Sequence, residues 1–451
     1  MLFSSLTFVV WFLPVVIVVH RLLPFRFKNL FLLCASVFFY AWGEIAYVPL
    51  VLVSMGLNYG FGLMVARDTP GRRRLWLVLS VLFNFGALVY FKYAGFFLNV
   101  VGLGAFDPGV TMPLGISFYT FQTQGYVVDV YRGKVPPEKN IISLMTFILL
   151  FPQLIAGPIV LYTDVRNELK VRTLPAEAMD RGMAQFIIGL SSKVLLANPL
   201  GALAASVAAQ PNSSAPAMWL GTLAGVFQLY FDFAGYSQMA IGMGNMLGFR
   251  FPKNFDHPLA ANSMRGFWRR WHMTLGVWLR DYIYIPLGGS RCGRLRTVFN
   301  LFVVWFLSGL WHGADYNHIL WGLWFFVFVA LERGRFGAFV DRHPRFGFAY
   351  TQLAFLLAWP LFHYSLLAET ASHYARMFTP AFATDVLYLL RGNAVLLMLA
   401  ALCCAPAFLR RVSAWMQRSP ALRVASLTTL LLLCMAALVN EAYNPFIYFR
   451  F

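Results

Sequence analysis

The chain has 451 residues, of which 59% are hydrophobic, 17% aromatic and only 12% charged. A soluble protein of this size could not cover so much apolar surface, so the composition indicates a protein that crosses a membrane several times. The formal net charge of +18 is not taken as a sign of nucleic-acid binding, because Lys and Arg collect in the cytoplasmic loops of membrane proteins.

The first apolar segment starts near the first residue, without the basic region or small-residue cleavage site of a secretory signal. Segments that could cross a membrane lie near residues 5–22, 29–43, 46–66, 75–91, 112–131, 141–162, 183–207, 217–247, 297–313, 318–331, 348–366, 393–409 and 424–440. Several are short or interrupted by Gly and Pro, which is typical of re-entrant helices. The sequence therefore predicts an all-α, polytopic transmembrane protein with re-entrant helices.

Clusters of basic residues in the loops indicate the orientation of the chain. The clusters are Arg21, Arg26 and Lys28; Arg67, Arg72, Arg73 and Arg74; Arg333, Arg335, Arg342 and Arg345; and Arg410, Arg411, Arg418 and Arg423. Placing these clusters in the cytoplasm puts both termini outside. Arg166, Lys170 and Arg172 do not fit this alternation.

The segment 249–296 combines nine Lys and Arg residues with Trp and Tyr. This pattern favours helices that lie at, or dip into, the cytoplasmic face of the membrane. Such a segment could be an interfacial anchor without chemistry, or an entrance for an anionic donor, since basic residues around a cleft concentrate phosphate-bearing ligands. On the second interpretation Arg269, Arg270 and Arg280 are candidate donor-binding residues.

Two His residues stand in unusual apolar surroundings. His312 stands in the segment 303–314, at the end of an apolar run, and His272 closes a run of Trp and Arg at 268–272. An ionisable side chain within a membrane is costly and by default indicates a function, most often proton handling. The alternative for His312 is a core His bonded to a backbone carbonyl, and for His272 it is donor binding or packing. His318 is a weaker candidate and fits a satisfied core residue better.

Asp232 is a further buried charge, in the apolar run 229–237. It could orient a tunnel residue, or brace two helices through Arg or Tyr. The chain has no Walker-type phosphate loop, no Gly-x-Ser-x-Gly elbow, no paired metal-ligand motif and no metal-type Cys spacing. We therefore expect no bound metal and no bound cofactor, with the activated group arriving already on its donor.

An ordered set of motifs resembles the bacterial membrane-bound O-acyltransferase family. The motifs are PLGISFYTFQ (113–122), DVYRG (129–133), FPQLIAGPI (151–159), NFDHP (254–258), FWRRWHMTL (267–275), WLRDY (278–282), IPLGG (285–289), WHGA (311–314) and WG (321–322). Within the family they are most similar to the membrane subunits that O-acetylate exopolysaccharides such as alginate. The resemblance extends over nearly the whole chain, so residues 1–451 are interpreted as a single domain.

The resemblance implies tilted helices around a central tunnel, with His312 as the catalytic residue and His272 as a second tunnel residue on the cytoplasmic side. A neutral imidazole can take the proton of an acceptor hydroxyl as its oxygen attacks a thioester carbonyl, and apolar surroundings favour the neutral form. The expected donor is acetyl-CoA. The expected product is an O-acetylated cell-envelope or secreted polysaccharide, made with a separate periplasmic, esterase-like acetyltransferase partner. The expected location is the inner membrane, as a multi-pass protein in contact with membrane lipid.

Two other functions remain open from the sequence. One is D-alanyl transfer for envelope polymers, which stays within the family. The other is a proton-coupled transporter or flippase, in which the buried His and Asp side chains would relay protons.

The last residues carry one more candidate. Phe446-x-Tyr448-x-x-Phe451 resembles a terminal Phe-x-Tyr-x-x-Phe motif associated with envelope acyl transfer, in which the Tyr carries the acyl group. The alternative is an interfacial anchor, because aromatic residues collect at the membrane–water boundary. On the first interpretation Tyr448 is an acyl relay between His312 and the periplasmic partner.

Overall fold

The computed structural model describes residues 1–67, 69–155, 157–380, 383–440 and 446. Within these residues the regular secondary structure is helical and no β-strand occurs. Five helical stretches in this part of the chain are long and apolar enough to cross a membrane: Phe25–Arg67, Pro70–Val100, Ala176–Ala209, Asp385–Cys404 and Pro420–Asn440. The predicted all-α, multi-pass membrane protein is therefore confirmed.

The described residues form two compact units, and the first comprises Met1–Phe186 and Tyr236–Lys253. Its helices are α1 (Leu13–Leu22), α2 (Phe25–Glu44), α3 (Val48–Arg67), α4 (Pro70–Leu88), α5 (Ala94–Val100), α6 (Ile116–Tyr131), α7 (Ile141–Leu149), α8 (Phe151–Leu154), α9 (Tyr162–Lys170) and the first part of α10 (Ala176–Ser191). Buried amides join α3, α4 and α6. Asn58 of α3 and Asn84 of α4 exchange hydrogen bonds of 2.9 and 2.8 Å, and Asn84 also donates to Gln124 of α6. An apolar interior offers these amides no water, so their hydrogen bonds must be made within the protein.

Arg172 explains why part of the basic pattern did not fit the loop alternation. Its guanidinium donates to Asn29 Oδ1 at 2.7 Å and to the Glu168 carbonyl at 3.1 Å, and it lies 3.1 Å from His20 Nε2. The ring of Phe249 lies 4.6 Å from the guanidinium carbon. Arg172 is therefore a buried structural residue that ties α1, α2 and α9 together, and its charge carries no information about membrane orientation.

The second unit comprises Ile187–Gly235 and Asn254–Phe451. Its further helices are α11 (Asn198–Ala209), α12 (Ala215–Met246), α13 (Met264–Trp268), α14 (Met273–Leu279), α15 (Arg294–His312), α16 (Tyr316–Leu331), α17 (Arg335–Arg342), α18 (Pro344–His363), α19 (Leu367–Phe378), α20 (Asp385–Cys404), α21 (Pro406–Met416) and α22 (Pro420–Asn440). The end of α12 belongs to the first unit. Only 6% of the most apolar stretch of α20, and the same share of α22, is buried inside the protein, which suits helices that face lipid.

The buried charge of Asp232 has a partner that the sequence did not predict. Lys193 Nζ lies 2.7 Å from Asp232 Oδ1, and both side chains are buried. Lys193 belongs to a π-helical turn, Ser192–Ala197, and Asp232 to α12. The carboxylate thus braces two helices, as one of the two interpretations proposed, but through Lys rather than Arg or Tyr.

Helices α15 and α16 form a close antiparallel pair that carries part of the site. Two glycines permit this approach. A Cβ on Gly309 would collide with the His318 carbonyl, and a Cβ on Gly322 would collide with the Trp305 carbonyl. Small residues at helix contacts let backbones approach closely, which is how membrane helices associate without a hydrophobic driving force.

Replacing Gly322 by Ala is expected to destabilise the protein by about 1–3 kcal/mol, since the added methyl meets backbone that cannot rotate away. The check is the thermal unfolding midpoint of the purified protein in detergent, which should fall. Gly392→Ala in α20 is the matched control, because a Cβ there meets no atom within 4 Å. Equal midpoints for the two variants would contradict the close packing of α15 and α16.

Candidate active site

A cavity of about 570 Å³ in the second unit brings together the two His residues singled out from the sequence. His272 and His312 both line it, together with Arg265, Arg269, Arg280 and Ser308. The rest of the lining is mainly Trp, Leu and Val. Cavities that combine an apolar wall with a few convergent polar groups are typical of small-molecule sites.

Helix α15 supplies one wall of the cavity. The lining residues of this helix are Leu301, Val304, Trp305, Ser308 and His312. Their spacing of three and four residues places them on one helical face. Ser308 lies one turn before His312 on this face, so a hydroxyl and an imidazole border the same space. Sequence reasoning missed Ser308, although its four-residue spacing from His312 was visible.

His312 is the last residue of α15, and its side chain is 2% exposed. Aromatic rings surround its imidazole: Trp321 at 4.8 Å between ring centroids, Trp311 at 4.9 Å and Phe362 at 5.4 Å. Each packs at a steep angle to the imidazole. The rings fix the imidazole in place and give it apolar surroundings on the sides away from the cavity.

His272 is held by the side chain of Asn254. The Thr274 backbone N–H donates to Asn254 Oδ1 at 3.3 Å, and the Thr274 hydroxyl donates to it at 2.9 Å. Because a backbone N–H can only donate, this amide atom is an acceptor, and His272 Nδ1, 3.1 Å away, must carry the proton in that contact. In a neutral imidazole the basic lone pair then lies on Nε2.

Two further observations support a neutral and fixed His272. The first is that burial lowers the pKa of the His272 imidazole, which lies outside the five long apolar helices, to about 3. Its backbone has a φ of 43°, in the left-handed region that residues other than Gly rarely adopt. Such strained residues cluster at functional sites. Trp311 contacts both imidazoles, with ring centroids 4.9 Å from His312 and 6.0 Å from His272.

The three candidate arginines separate in the structure. Arg269 and Arg280 line the cavity, and Arg270 does not. Arg280 Nε lies 2.7 Å from Asp281 Oδ1, so its charge is matched by a neighbouring carboxylate. Arg269 is exposed, and no carboxylate pairs with it among the described residues. Arg269 is therefore the cavity-lining guanidinium best able to meet an anionic ligand.

Arg265, a cavity residue that the sequence did not single out, is held by Glu332. The Glu332 carboxylate is 1% exposed and accepts hydrogen bonds from the backbone N–H groups of Met264 and Arg265, at 2.6 and 2.8 Å. Arg265 Nε lies 3.2 Å from the same carboxylate, and its other end reaches Asp341 at 3.3 Å. Glu332 thus anchors the start of the cavity-lining segment to the end of α16.

The remaining candidates lie elsewhere. His318 does not line the cavity, and its Nδ1 lies 2.8 Å from Asp315, whose carboxylate also caps α16. This agrees with a satisfied core residue. Among the described residues no group of three or more His, Cys, Asp or Glu side chains could hold a metal ion. Tyr448 lies outside the described residues.

Comparison with known proteins gives a consistent family. The model of the membrane-bound O-acyltransferase (MBOAT) family matches residues 25–367. The chain is 41% identical over 395 residues to the probable alginate O-acetylase AlgI of Pseudomonas putida, covering 84% of this chain and 80% of that protein. It is 35% identical over 371 residues to a peptidoglycan O-acetyltransferase of Helicobacter pylori, covering 74% and 70%.

A more distant similarity links the chain to a teichoic acid D-alanyltransferase of Bacillus subtilis, at 29% identity over 227 residues, which cover 48% of this chain and 58% of that protein. The family match spans well over half of the chain and includes both His272 and His312. The chain belongs to the membrane-bound O-acyltransferase family and is a multi-pass membrane O-acyltransferase.

Proposed function

We propose that this protein takes an acetyl group from a cytoplasmic thioester, acetyl-CoA, and transfers it for the O-acetylation of an exopolysaccharide such as alginate. The observation that carries the proposal is the cavity in which His312, His272 and Arg269 meet. The names of the relatives support the chemistry, since both an alginate O-acetylase and a peptidoglycan O-acetyltransferase share more than a third of their aligned residues with this chain.

In the proposed reaction His312 is the general base. Its neutral imidazole accepts the proton of the attacking hydroxyl while the hydroxyl oxygen forms a bond to the thioester carbonyl carbon. The tetrahedral intermediate then expels the CoA sulfur, and the proton on the imidazole passes to that thiolate. The products are an oxygen ester and free CoA thiol, and His312 is neutral again.

His272 would act on the donor side of the same cavity. The hydrogen bond to Asn254 leaves Nε2 as an acceptor, which suits a group that accepts a hydrogen bond from an amide N–H of a pantetheine arm. Arg269 would pair with the phosphates of CoA, since a guanidinium matches phosphate geometry with two parallel hydrogen bonds. Arg265 and Arg280 are already engaged by carboxylates, so we assign them smaller roles in donor binding.

Tyr448 is proposed as an intermediate acyl carrier. Phe446, two residues earlier, is buried, and its ring lies 5.5 Å from Phe233, whose own ring lies 4.7 Å from His272. The motif that contains Tyr448 therefore includes one described residue, Phe446, that packs against a neighbour of His272. A phenol with a pKa of about 10 is a better leaving group than an alkyl alcohol, so a tyrosyl ester retains transfer potential.

The acetylated Tyr448 would pass its acetyl group to a separate periplasmic, esterase-like acetyltransferase, which completes transfer to the polysaccharide. This arrangement requires the protein to lie in the inner membrane. A second function, D-alanyl transfer, is favoured by the 29% identity to the teichoic acid D-alanyltransferase and would use the same bond changes. A transporter or flippase does not fit an O-acyltransferase family.

His312→Ala is expected to lower acetyl transfer by at least 100-fold, because a general base contributes roughly 10²–10⁴-fold. The measurement is transfer of labelled acetyl from acetyl-CoA to polysaccharide in inverted vesicles containing the full system. His318→Ala is the matched control and should retain most of the activity if it folds normally. Retention of more than about a tenth of activity by His312→Ala would argue against a general base. His272→Ala should give a smaller, graded loss.

Arg269→Gln is expected to raise the KM for acetyl-CoA several-fold with little change in kcat, because it removes a binding charge far from the reacting carbonyl. Arg270→Gln is the matched control, since it removes the same charge from the neighbouring residue, which does not line the cavity. If both variants raise KM equally, general positive charge rather than a specific contact attracts the donor.

The same assay with a D-alanyl thioester as donor distinguishes acetyl transfer from D-alanyl transfer.

Tyr448→Phe is expected to abolish polysaccharide acetylation, because it removes the hydroxyl that would carry the acetyl group and keeps the aromatic ring. Mass spectrometry of the C-terminal peptide should find an acetyl group on Tyr448 in wild-type protein when the periplasmic partner is missing. Normal acetylation by the Phe variant would mean that Tyr448 is an anchor and that His312 acts on another acceptor.

A further inference from the structure

A second cavity, of about 390 Å³, lies in the first unit and differs in character from the catalytic one. Four polar side chains line it: Arg181, Gln185, Asn245 and Arg250. Arg181 and Gln185 belong to α10, Asn245 lies in the last turn of α12, and Arg250 follows that helix. The catalytic cavity has walls of Trp, Leu and Val, whereas this one is bordered by hydrogen-bonding groups alone.

The two helices that form the cavity are in direct backbone contact beside it. A Cβ on Gly182 would lie 2.6 Å from the Gly242 carbonyl oxygen, and a Cβ on Gly242 would lie 2.6 Å from the Gly182 carbonyl oxygen. One turn further along, Asn245 Nδ2 donates to Gln185 Oε1 at 2.7 Å. The crossing therefore fixes the separation of the helices, and the amide pair leaves the Gln185 N–H groups as donors.

The two guanidinium groups at this cavity carry charge that no carboxylate offsets. Both Arg181 and Arg250 are exposed, and neither has an ion pair or a side-chain hydrogen bond within the part of the chain that the structure describes. Arg172, by contrast, is engaged by three polar groups. Two guanidinium forks and an amide donor at one cavity suit the oxygens of a phosphate group.

The position of the cavity along the helices indicates where that phosphate would come from. Arg181 lies five residues into the apolar stretch Ala176–Ala209, which is long enough to cross a membrane. Arg250 lies four residues beyond Met246, the end of the 32-residue helix α12. A residue near the end of a membrane-spanning stretch, such as Arg181, lies at the depth of the lipid headgroups, where basic pockets between helices bind anionic phospholipids. Arg250 borders the same cavity as Arg181.

We propose that Arg181, Arg250 and the Gln185–Asn245 pair form a binding site for the phosphate group of an anionic membrane phospholipid, such as phosphatidylglycerol. The guanidinium groups bind the phosphate oxygens, and the Gln185 amide donates a third hydrogen bond. The lipid holds α10 and α12 together at the membrane surface. A soluble phosphate ester offers the same oxygens, so the experiment includes an arm for CoA.

The experiment compares lipid retention by three forms of the purified full-length protein. They are wild type, the double variant Arg181→Gln/Arg250→Gln and the control double variant Arg410→Gln/Arg411→Gln. The control removes two exposed Arg residues of α21 that make no described contact. Each protein is equilibrated with equal amounts of phosphatidylglycerol and phosphatidylcholine, and native mass spectrometry counts the lipids that remain bound.

We expect wild type and the control to retain phosphatidylglycerol preferentially. The Arg181/Arg250 variant should lose that preference by roughly 25-fold, since each basic residue near an anionic headgroup contributes about a factor of five and the variant removes two. Arg181→Lys/Arg250→Lys, which keeps the charge without the forked geometry, should fall between the two. If the control lost its preference for phosphatidylglycerol equally, the preference would come from overall positive charge and not from this site. If the Arg181/Arg250 variant kept its preference, the site would be excluded.

The CoA arm separates the lipid from a soluble phosphate. Excess CoA or inorganic phosphate should not displace phosphatidylglycerol from wild type, because a soluble anion lacks the acyl chains that hold the lipid beside the helices. Displacement by CoA, or a raised KM for acetyl-CoA in a Gln variant that retains its lipid, would overturn the lipid assignment. Lipid counting needs no catalysis, so its outcome is independent of the proposed function.

Discussion

The Asn254 carboxamide holds together the stretch of chain that carries His272. Its oxygen lies within hydrogen-bond distance of three donors, and its backbone carbonyl accepts the Met273 N–H at 2.9 Å. Leaving one such buried group unsatisfied costs about 1–3 kcal/mol, so together these bonds outweigh the strain of the left-handed His272 backbone. The position of the His272 ring, its tautomer and the turn into α14 all depend on this one residue.

The requirement that a buried polar group have hydrogen-bond partners also applies to the buried charges. Asp232 is matched by Lys193, and Glu332 is matched by Arg265 and by two backbone N–H groups. A buried charge is tolerated only when paired and hydrogen-bonded. Each partner lies far along the chain, 67 residues away for Glu332 and Arg265, and only the folded chain brings the two together. The sequence could therefore predict that Asp232 needs a partner, but it could not identify which residue provides it.

Composition was sufficient to predict the all-α membrane fold, and the family resemblance implied that His272 and His312 belong to one tunnel. They could not separate Arg269 from Arg270. Helix α13 ends at Trp268, and the chain turns before α14 begins at Met273, so no helical period relates the two arginines to the cavity. Nor could the sequence explain why Arg172 does not fit the alternation of basic loops, because its burial between helices is set by tertiary contacts. Side-chain direction in turns and burial of single charges depend on tertiary contacts.

The aromatic enclosure of His312 constrains how an acyltransferase could use it. Rings at 4.8 to 5.4 Å place apolar surface against the imidazole, which disfavours a lasting positive charge on it. A base in such a place must return its proton within the same catalytic cycle, and the departing thiolate is an acceptor that the reaction itself provides. Transfer from a thioester to an oxygen meets this requirement, because one proton leaves a hydroxyl and one proton arrives at sulfur. The site therefore needs no net proton uptake or release, which suits a base enclosed by Trp and Phe within a membrane.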